Sequence, residues 1–179
     1  MDSVAVFEFL RGIATPGLDK VMKVITDLGS AGFYMAVIPV LYWCVNKSLG
    51  FRLAIVLSIS NYINVGIKFI SCRLRPYVVF PHLDAPEYLK LTGTGYSFPS
   101  GHAQVSSTFW TYLARSAREK WITVTGILVV IFVAFTRVYA TVHYPTDVIA
   151  GIVIGISSAV IIHFQFIELV EKFSYIIYN

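Results

Sequence analysis

The sequence predicts an all-α integral membrane helical bundle of about five spans, preceded by an N-terminal amphipathic interfacial helix. Three observations predict it. Of 179 residues, 56% are hydrophobic and only 13% charged, against about 25% charged in an ordinary soluble domain. The mean hydropathy is +0.71. The charges bracket long apolar runs instead of interrupting them, so lipid is the main solvent of this chain. The length suits a single domain, 1–179. The net charge is only +4, and the basic residues cluster in turns and at span ends. That pattern excludes a nucleic-acid surface.

Each element follows in order. Leu18, Val21, Met22, Ile25 and Leu28 recur at helical spacing, with Asp19, Lys20, Lys23 and Asp27 between them. This is an amphipathic helix, and an interfacial position suits it. Residues 3–12 form another short helix, set off by Thr15-Pro16-Gly17. Residues 1–28 are thus interfacial, and 29–170 form the bundle. No cleavable signal peptide is expected, because Val4–Leu10 contains Glu8 and lacks a basic leader.

Uncharged stretches then cover 28–46, 53–67, 91–114, 121–136 and 148–167, which are 19, 15, 24, 16 and 20 residues long. A spanning helix needs about 20, within a range of roughly 17–25. The two short stretches cover about 22–24 Å at 1.5 Å per residue, less than a hydrocarbon core of about 30 Å. Either Lys68 and Arg137 lie recessed below the membrane surface, or Arg52 and Lys120 snorkel at the other ends. Recession is the reading that marks a site, since ionisable residues at membrane depth are costly.

Residues 71–98 form the longest connection, broken by Pro76, Pro81, Pro86, Gly93 and Gly95. Loops of this length often serve as lids. One short turn carries Lys47 and Arg52, and another carries Arg115, Arg118 and Lys120. Both belong on the cytoplasmic side, which leaves the 71–98 loop and the 138–146 turn extracytoplasmic. Cys44 and Cys72 fall near opposite ends of successive spans. That is beyond the roughly 7 Å between Cα atoms a disulfide allows, so both read as buried apolar residues. Gly151 and Gly155 suit a close helix contact within the chain. Asn61 and Asn64 suit structural hydrogen bonds, and Trp43, Trp110, Trp121, Tyr175 and Tyr178 suit interface belts. Arg73 and Lys90 read as interfacial cations.

Three blocks carry chemistry. The first is Lys68 followed by Arg75-Pro76. The second is Pro99-Ser100-Gly101-His102, and the third is Arg137 with His143 and Asp147. Backbone N–H groups at a helix start bind anions, and glycine lets a ligand approach closely. Arg holds phosphate oxygens in a fork, and Lys acts as a point charge. Asp147 lies four residues after His143, at the start of the fifth span. There it can take one imidazole nitrogen and leave the other to attack. His102 is placed to protonate a leaving oxygen. Any one block alone also fits an ordinary interfacial helix cap. Together they describe a site that grips a phosphoryl group.

The spacing Lys-x6-Arg-Pro, then Pro-Ser-Gly-His, then Arg-x5-His-x3-Asp resembles the type 2 phosphatidic acid phosphatase superfamily, which includes lipid diphosphate phosphatases, glucose-6-phosphatase and vanadium haloperoxidases. The resemblance covers Lys68–Asp147. It departs at Thr136, where the family often has Ser. It implies His143 as nucleophile through a phosphohistidine, Asp147 as its orienting carboxylate and His102 as proton donor. It further implies Lys68, Arg75, Ser100, Gly101 and Arg137 as phosphate ligands, with no metal and no cofactor. The expected activity is hydrolysis of a lipid phosphomonoester or diphosphate on the extracytoplasmic face of the cell membrane. Phosphatidate, phosphatidylglycerophosphate and polyprenyl diphosphate are all open as substrates, and the lipid itself is the expected partner. The rival readings are a catalytically silent lipid-binding membrane protein and a vanadium-dependent haloperoxidase.

Overall fold

The computed structural model describes residues 3–83 and 85–178, with side chains from 4 to 83 and 85 to 166. The elements are α1 (Ser3–Gly12), α2 (Pro16–Asp27), α3 (Ala31–Val40), α4 (Lys47–Ser71), α5 (Pro76–Val79), α6 (Glu87–Lys90), α7 (Gly101–Ala117), α8 (Lys120–Tyr139) and α9 (Pro145–Tyr178). Among the described residues there is no strand. α3 runs on into a π-type turn, Leu41–Val45, two residues after Pro39 removes a backbone donor from the helix.

Caps fix most helix starts. Thr15 caps α2 by accepting from the Leu18 N–H, Ser30 caps α3 through Phe33, and Asn46 caps α4 through Leu49. At the start of α9, Asp147 reaches back to the Tyr144 N–H at 2.9 Å, as the third residue of a capping box does.

Three helices are long and apolar enough to cross a bilayer: Lys47–Val79 taken through its end, Lys120–Tyr139 and Pro145–Phe166. Pro16–Asp27 with Ala31–Val45, bent by 47°, makes a fourth if counted as one span. This is an all-helical, multi-pass membrane protein, and the bounds of the expected stretches shift. The stretch 91–114 is not one span, because residues 91–100 are loop and α7 begins at Gly101. α7 is also polar, burying Gln104, Ser106, Ser107 and Thr108. Its neighbours are α4, α8 and α9, so the surrounding helices shield these buried polar side chains from lipid. The short stretches 53–67 and 121–136 are not short helices either. α4 has 25 residues and α8 has 20, which is about 37 Å and 30 Å. Their charges sit inside the last turns. Arg137 is buried there, while Lys68 is part-exposed.

α7 is the centre. On one side Asn64 of α4 donates to Gln104 at 2.8 Å. Gln104 donates to the Ser60 carbonyl at 2.6 Å, and Ser60 pairs with Thr108 at 2.8 Å. On the other side α9 approaches through glycines. A Cβ at Gly151 would strike the Ser100 carbonyl, and one at Gly155 would strike Ser107 and the Gln104 carbonyl. The paired glycines thus serve contact within the chain. The apolar core at the end remote from the motif blocks joins Tyr34, Leu53, Val56, Phe109, Tyr112 and Ala159.

Several expectations are corrected. In α2 polar as well as apolar residues turn inward. Val21 and Leu28 face out, whereas Asp19 and Thr26 are buried, because Asp19 binds Arg11 and Tyr139. Cys44 and Cys72 are free but exposed; on a lipid-facing surface, exposure is not contact with water. Trp43 and Trp121 are exposed, while Trp110 packs against Gly126. Tyr175 and Tyr178 lie outside the described side chains.

Replacing Gly155 with Val should destabilise the bundle by about 1–3 kcal/mol or more. An unchanged unfolding midpoint in detergent would mean that α7 and α9 are not in backbone contact.

Candidate active site

The C-terminal ends of α4 and α8 meet the N-terminal ends of α7 and α9. This follows from the antiparallel order of the helices, and it brings the three motif blocks to one end. A cavity of about 260 Å³ lies there, lined by Lys68, Arg75, Gly101, His102 and His143, with Asn61, Asn64, Thr92 and Thr94. Of the eight residues expected at the site, these five reach the cavity wall. Ser100, Arg137 and Asp147 are buried just behind it.

His143 stands in the turn between α8 and α9. Thr141, at φ 55, turns the chain, and the Val142 and His143 N–H groups return to the Arg137 carbonyl at 3.3 Å. Nε2 of His143 lies 3.1 Å from Arg75 Nη1. A guanidinium only donates, so Nε2 presents its lone pair and the proton sits on Nδ1. Nδ1 faces Asp147 Oδ2 at 3.6 Å and Ser97 Oγ at 3.5 Å. The ring is therefore neutral, with the Nε2 lone pair turned toward Arg75. Burial is the main cause that disfavours its charged form. Asp147 opposes this, and the cations Arg75, Arg137 and Lys68 reinforce it. Protonation of His143 is thus pushed below the ordinary histidine range.

Asp147 is wholly buried. Its Oδ2 accepts from Ser97 Oγ and from the Tyr144 N–H, and its Oδ1 accepts from Arg73 at 2.7 Å. Its own carbonyl accepts from the Ser100 N–H at 2.9 Å, joining the starts of α7 and α9. Arg73 is therefore not merely an interfacial cation. It also binds Thr146 at 2.9 Å and lies 4.0 Å over the Tyr144 ring. Ser97 and Arg73 are the residues that sequence reasoning passed over. Both stand beside recognised blocks, two residues before Pro99 and before Arg75, and their partners lie 50 and 74 positions away.

Arg75 does not offer a free fork. Nε donates to Gly95 at 2.8 Å. Nη2 donates to the carbonyls of Thr94 and Tyr96, and Nη1 donates to Val142 at 2.8 Å while facing His143. All five N–H groups are occupied, and only the one on Nη1 that faces His143 opens toward a ligand. Gly93 is required beside it, since a Cβ there would lie 2.6 Å from Nη1. Arg137 donates to Thr26 and Thr92, and its Nε has no partner. Ser100 Oγ is likewise buried without a partner. Lys68 donates to the Tyr96 carbonyl. Thr136 turns its hydroxyl back to the Val133 carbonyl, so the Ser-to-Thr departure leaves the pocket untouched. Gly101 needs no special backbone, and a Cβ there would meet only Asn64 Oδ1 at 3.5 Å.

Comparison with known proteins matches residues 49–170, about two thirds of the chain, to the PAP2 superfamily. The chain belongs to the PAP2 superfamily. It is 35% identical over 109 residues to an undecaprenyl-diphosphatase of Sulfolobus acidocaldarius, covering 61% of this chain and 51% of that one. The chain thus spans about half the length of that relative. It is 25% identical to phosphatidylglycerophosphatase B of Bacillus subtilis, covering 80% and 73%. The crystal structure of a transmembrane PAP2 phosphatidylglycerolphosphate phosphatase from Bacillus subtilis superposes with a TM-score of 0.78. It is 24% identical and covers 93% of this chain and 84% of that one. LpxE of Aquifex aeolicus superposes at 0.75, with 23% identity and coverage of 89% and 93%. At these identities the two structures establish that this PAP2 chain shares their fold.

The His143 ring should remain the neutral Nδ1–H tautomer at pH 6, where an ordinary imidazole of pKa about 6.5 is mostly protonated. Nitrogen-15 NMR of the ring reads this directly, and an imidazolium signal at that pH would contradict the geometry.

Proposed function

We propose that this PAP2 protein is an integral membrane phosphatase. It hydrolyses a phosphomonoester or diphosphate on a lipid headgroup, through a phosphohistidine and without metal. The observation that carries the reading is the pair His102 and His143 on one cavity wall with Lys68 and Arg75. Two buried polar atoms without partners, Ser100 Oγ and Arg137 Nε, support it, since an unsatisfied buried group costs about 1–3 kcal/mol. The names of the relatives as lipid phosphatases point the same way. The whole of 1–179 acts as one phosphatase domain. Residues 1–28 lie at the interface, and the 71–98 loop with the pocket faces the extracytoplasmic side of the cell membrane.

The reaction follows from the donor set. Lys68, the open Arg75 N–H, Arg137, Ser100 and the first N–H groups of α7 hold the phosphoryl oxygens. The oxygen taking Arg75 Nη1 frees the lone pair of His143 Nε2. Nε2 attacks phosphorus in line, and the bond to the leaving oxygen breaks. His102 gives that oxygen its proton, since the bound phosphate supplies the negative charge that favours an imidazolium there. Water then attacks the phosphohistidine and returns a proton to His102. Inorganic phosphate leaves, and His143 is neutral again. Asp147 steadies the positive ring in between. Catalysis here is mostly positioning and charge stabilisation.

Phosphate release from short-chain phosphatidate and from a polyprenyl diphosphate, with and without chelator, tests the proposal. Release should persist in chelator and vanish in His143→Ala. Equal release by that variant would reject the nucleophile. Loss of His102 should slow alkyl phosphates far more than p-nitrophenyl phosphate, whose leaving group needs no proton. Equal losses would remove the acid role. Gly101→Ala should keep the unfolding free energy within about 0.5 kcal/mol yet weaken tungstate binding, measured by calorimetry. Unweakened binding would place the anion elsewhere.

A further inference from the structure

A larger groove lies at the other end of the bundle and shares no lining residue with the catalytic pocket. Near that pocket α8 and α9 pack together, with Ala134 and Val148 on Ala103 and Val138 and Ile152 against them. Farther along they part, and α7 forms the floor between them. The space is about 540 Å³ and is walled by Trp110, Ala114, Ile127, Val130, Ile156 and Val160. Its lining runs from Ser107 to Arg115, from Thr123 to Ile131 and from Ile152 to Val160. Each run is about 12 Å long at 1.5 Å per residue. One leaflet of a core about 30 Å thick is about 15 Å deep. The groove therefore has the depth of a single leaflet, the one opposite the catalytic pocket.

Its outer mouth is cationic. Arg115 lines the groove, with its guanidinium 5.0 Å from the ring centre of Phe164. Arg118, at the left-handed end of α7, and Lys120, at the start of α8, follow in the same turn. Among the described residues no carboxylate forms an ion pair with any of the three. Glu119 stands in the same turn, and it and the half negative charge of the α7 C-terminus together offset only part of the three cations. An apolar slot one leaflet deep, ending in cations, fits one chemistry: a hydrocarbon chain carrying an anionic head. A second copy of this chain would fill the slot with apolar side chains but leave the cations unmet.

We propose that this groove binds an acyl chain of an anionic phospholipid from the leaflet opposite the catalytic pocket, with its phosphate against Arg115 and Arg118. Native mass spectrometry of the full chain in detergent tests this. The probes are equal amounts of dioleoyl phosphatidylglycerol and dioleoyl phosphatidylcholine. The native protein should retain the anionic lipid about tenfold better, a difference of about 1.4 kcal/mol. Arg115→Gln with Arg118→Gln should bring the two lipids to near equality while phosphate release is kept. Ala114→Phe should expel both. Both arginines are exposed, so the double variant folds and decides the matter even if Ala114→Phe does not. Equal retention by the native protein, or a preference that survives the double variant, would overturn the proposal. So would a lipid-free dimer closed across the groove.

Discussion

The pocket end of this bundle hangs on one buried carboxylate. Asp147 takes donors from the link after α4, from the loop before α7 and from its own helix start. Its carbonyl holds the first residue before α7. A buried carboxylate deprived of a partner is destabilising by about 3–5 kcal/mol, so these partners come as a set. The same oxygen that accepts from Ser97 and Tyr144 faces Nδ1 of His143. What closes the seam between three chain segments therefore also selects the tautomer of the imidazole.

The cations are restrained in a similar way. Arg75 spends its donors on carbonyls of residues 94–96 and 142, so it acts as a bracket for the loop as much as a ligand. Leu83, Ala85 and Leu89 of that loop are buried, and Leu83 and Leu89 pack beside Phe7 and Leu10 of α1. These residues tie the loop to α1. Thr26 and Thr92 hold Arg137 from two sides. Charges fixed before an anion arrives need no reorganisation when it does, and that is the condition under which electrostatic stabilisation is largest.

Local signals carried much of this. Proline, serine and glycine before Gln104, and tyrosine, proline and threonine before Asp147, mark helix starts whatever the tertiary structure. The charges bracketing apolar runs gave the order of the spans. Span lengths misled because a charge was taken as a helix boundary. Arg52 and Lys68 both lie within α4, where long side chains reach the interface or a cavity without ending the helix. The polar side of α2 was only partly legible. Asp19 and Thr26 look solvent-facing in sequence, yet each is satisfied by a residue more than 100 positions away. Arg73 and Ser97 were illegible on the same ground, since nothing local distinguishes a snorkelling arginine from one aimed at a buried carboxylate.

α7 shows how the membrane constraint and the chemistry coincide. A helix carrying Gln104, Ser106, Ser107 and Thr108 gains little from lipid, and buried hydroxyls and amides need partners. That polar stretch is stable only when flanked, with Asn64 and Ser60 on α4 and the glycine face of α9 closing on its backbone. Polar content thus drives α7 to the axis of the bundle. Its first turn, whose leading N–H groups have no partner within the helix, is then surrounded by the ends of α4, α8 and α9. A more apolar helix could sit on the rim, where a helix start would be solvated and the attraction between its dipole and an anion screened. The polarity that makes α7 a poor membrane helix is what places its amino end at the centre of the site.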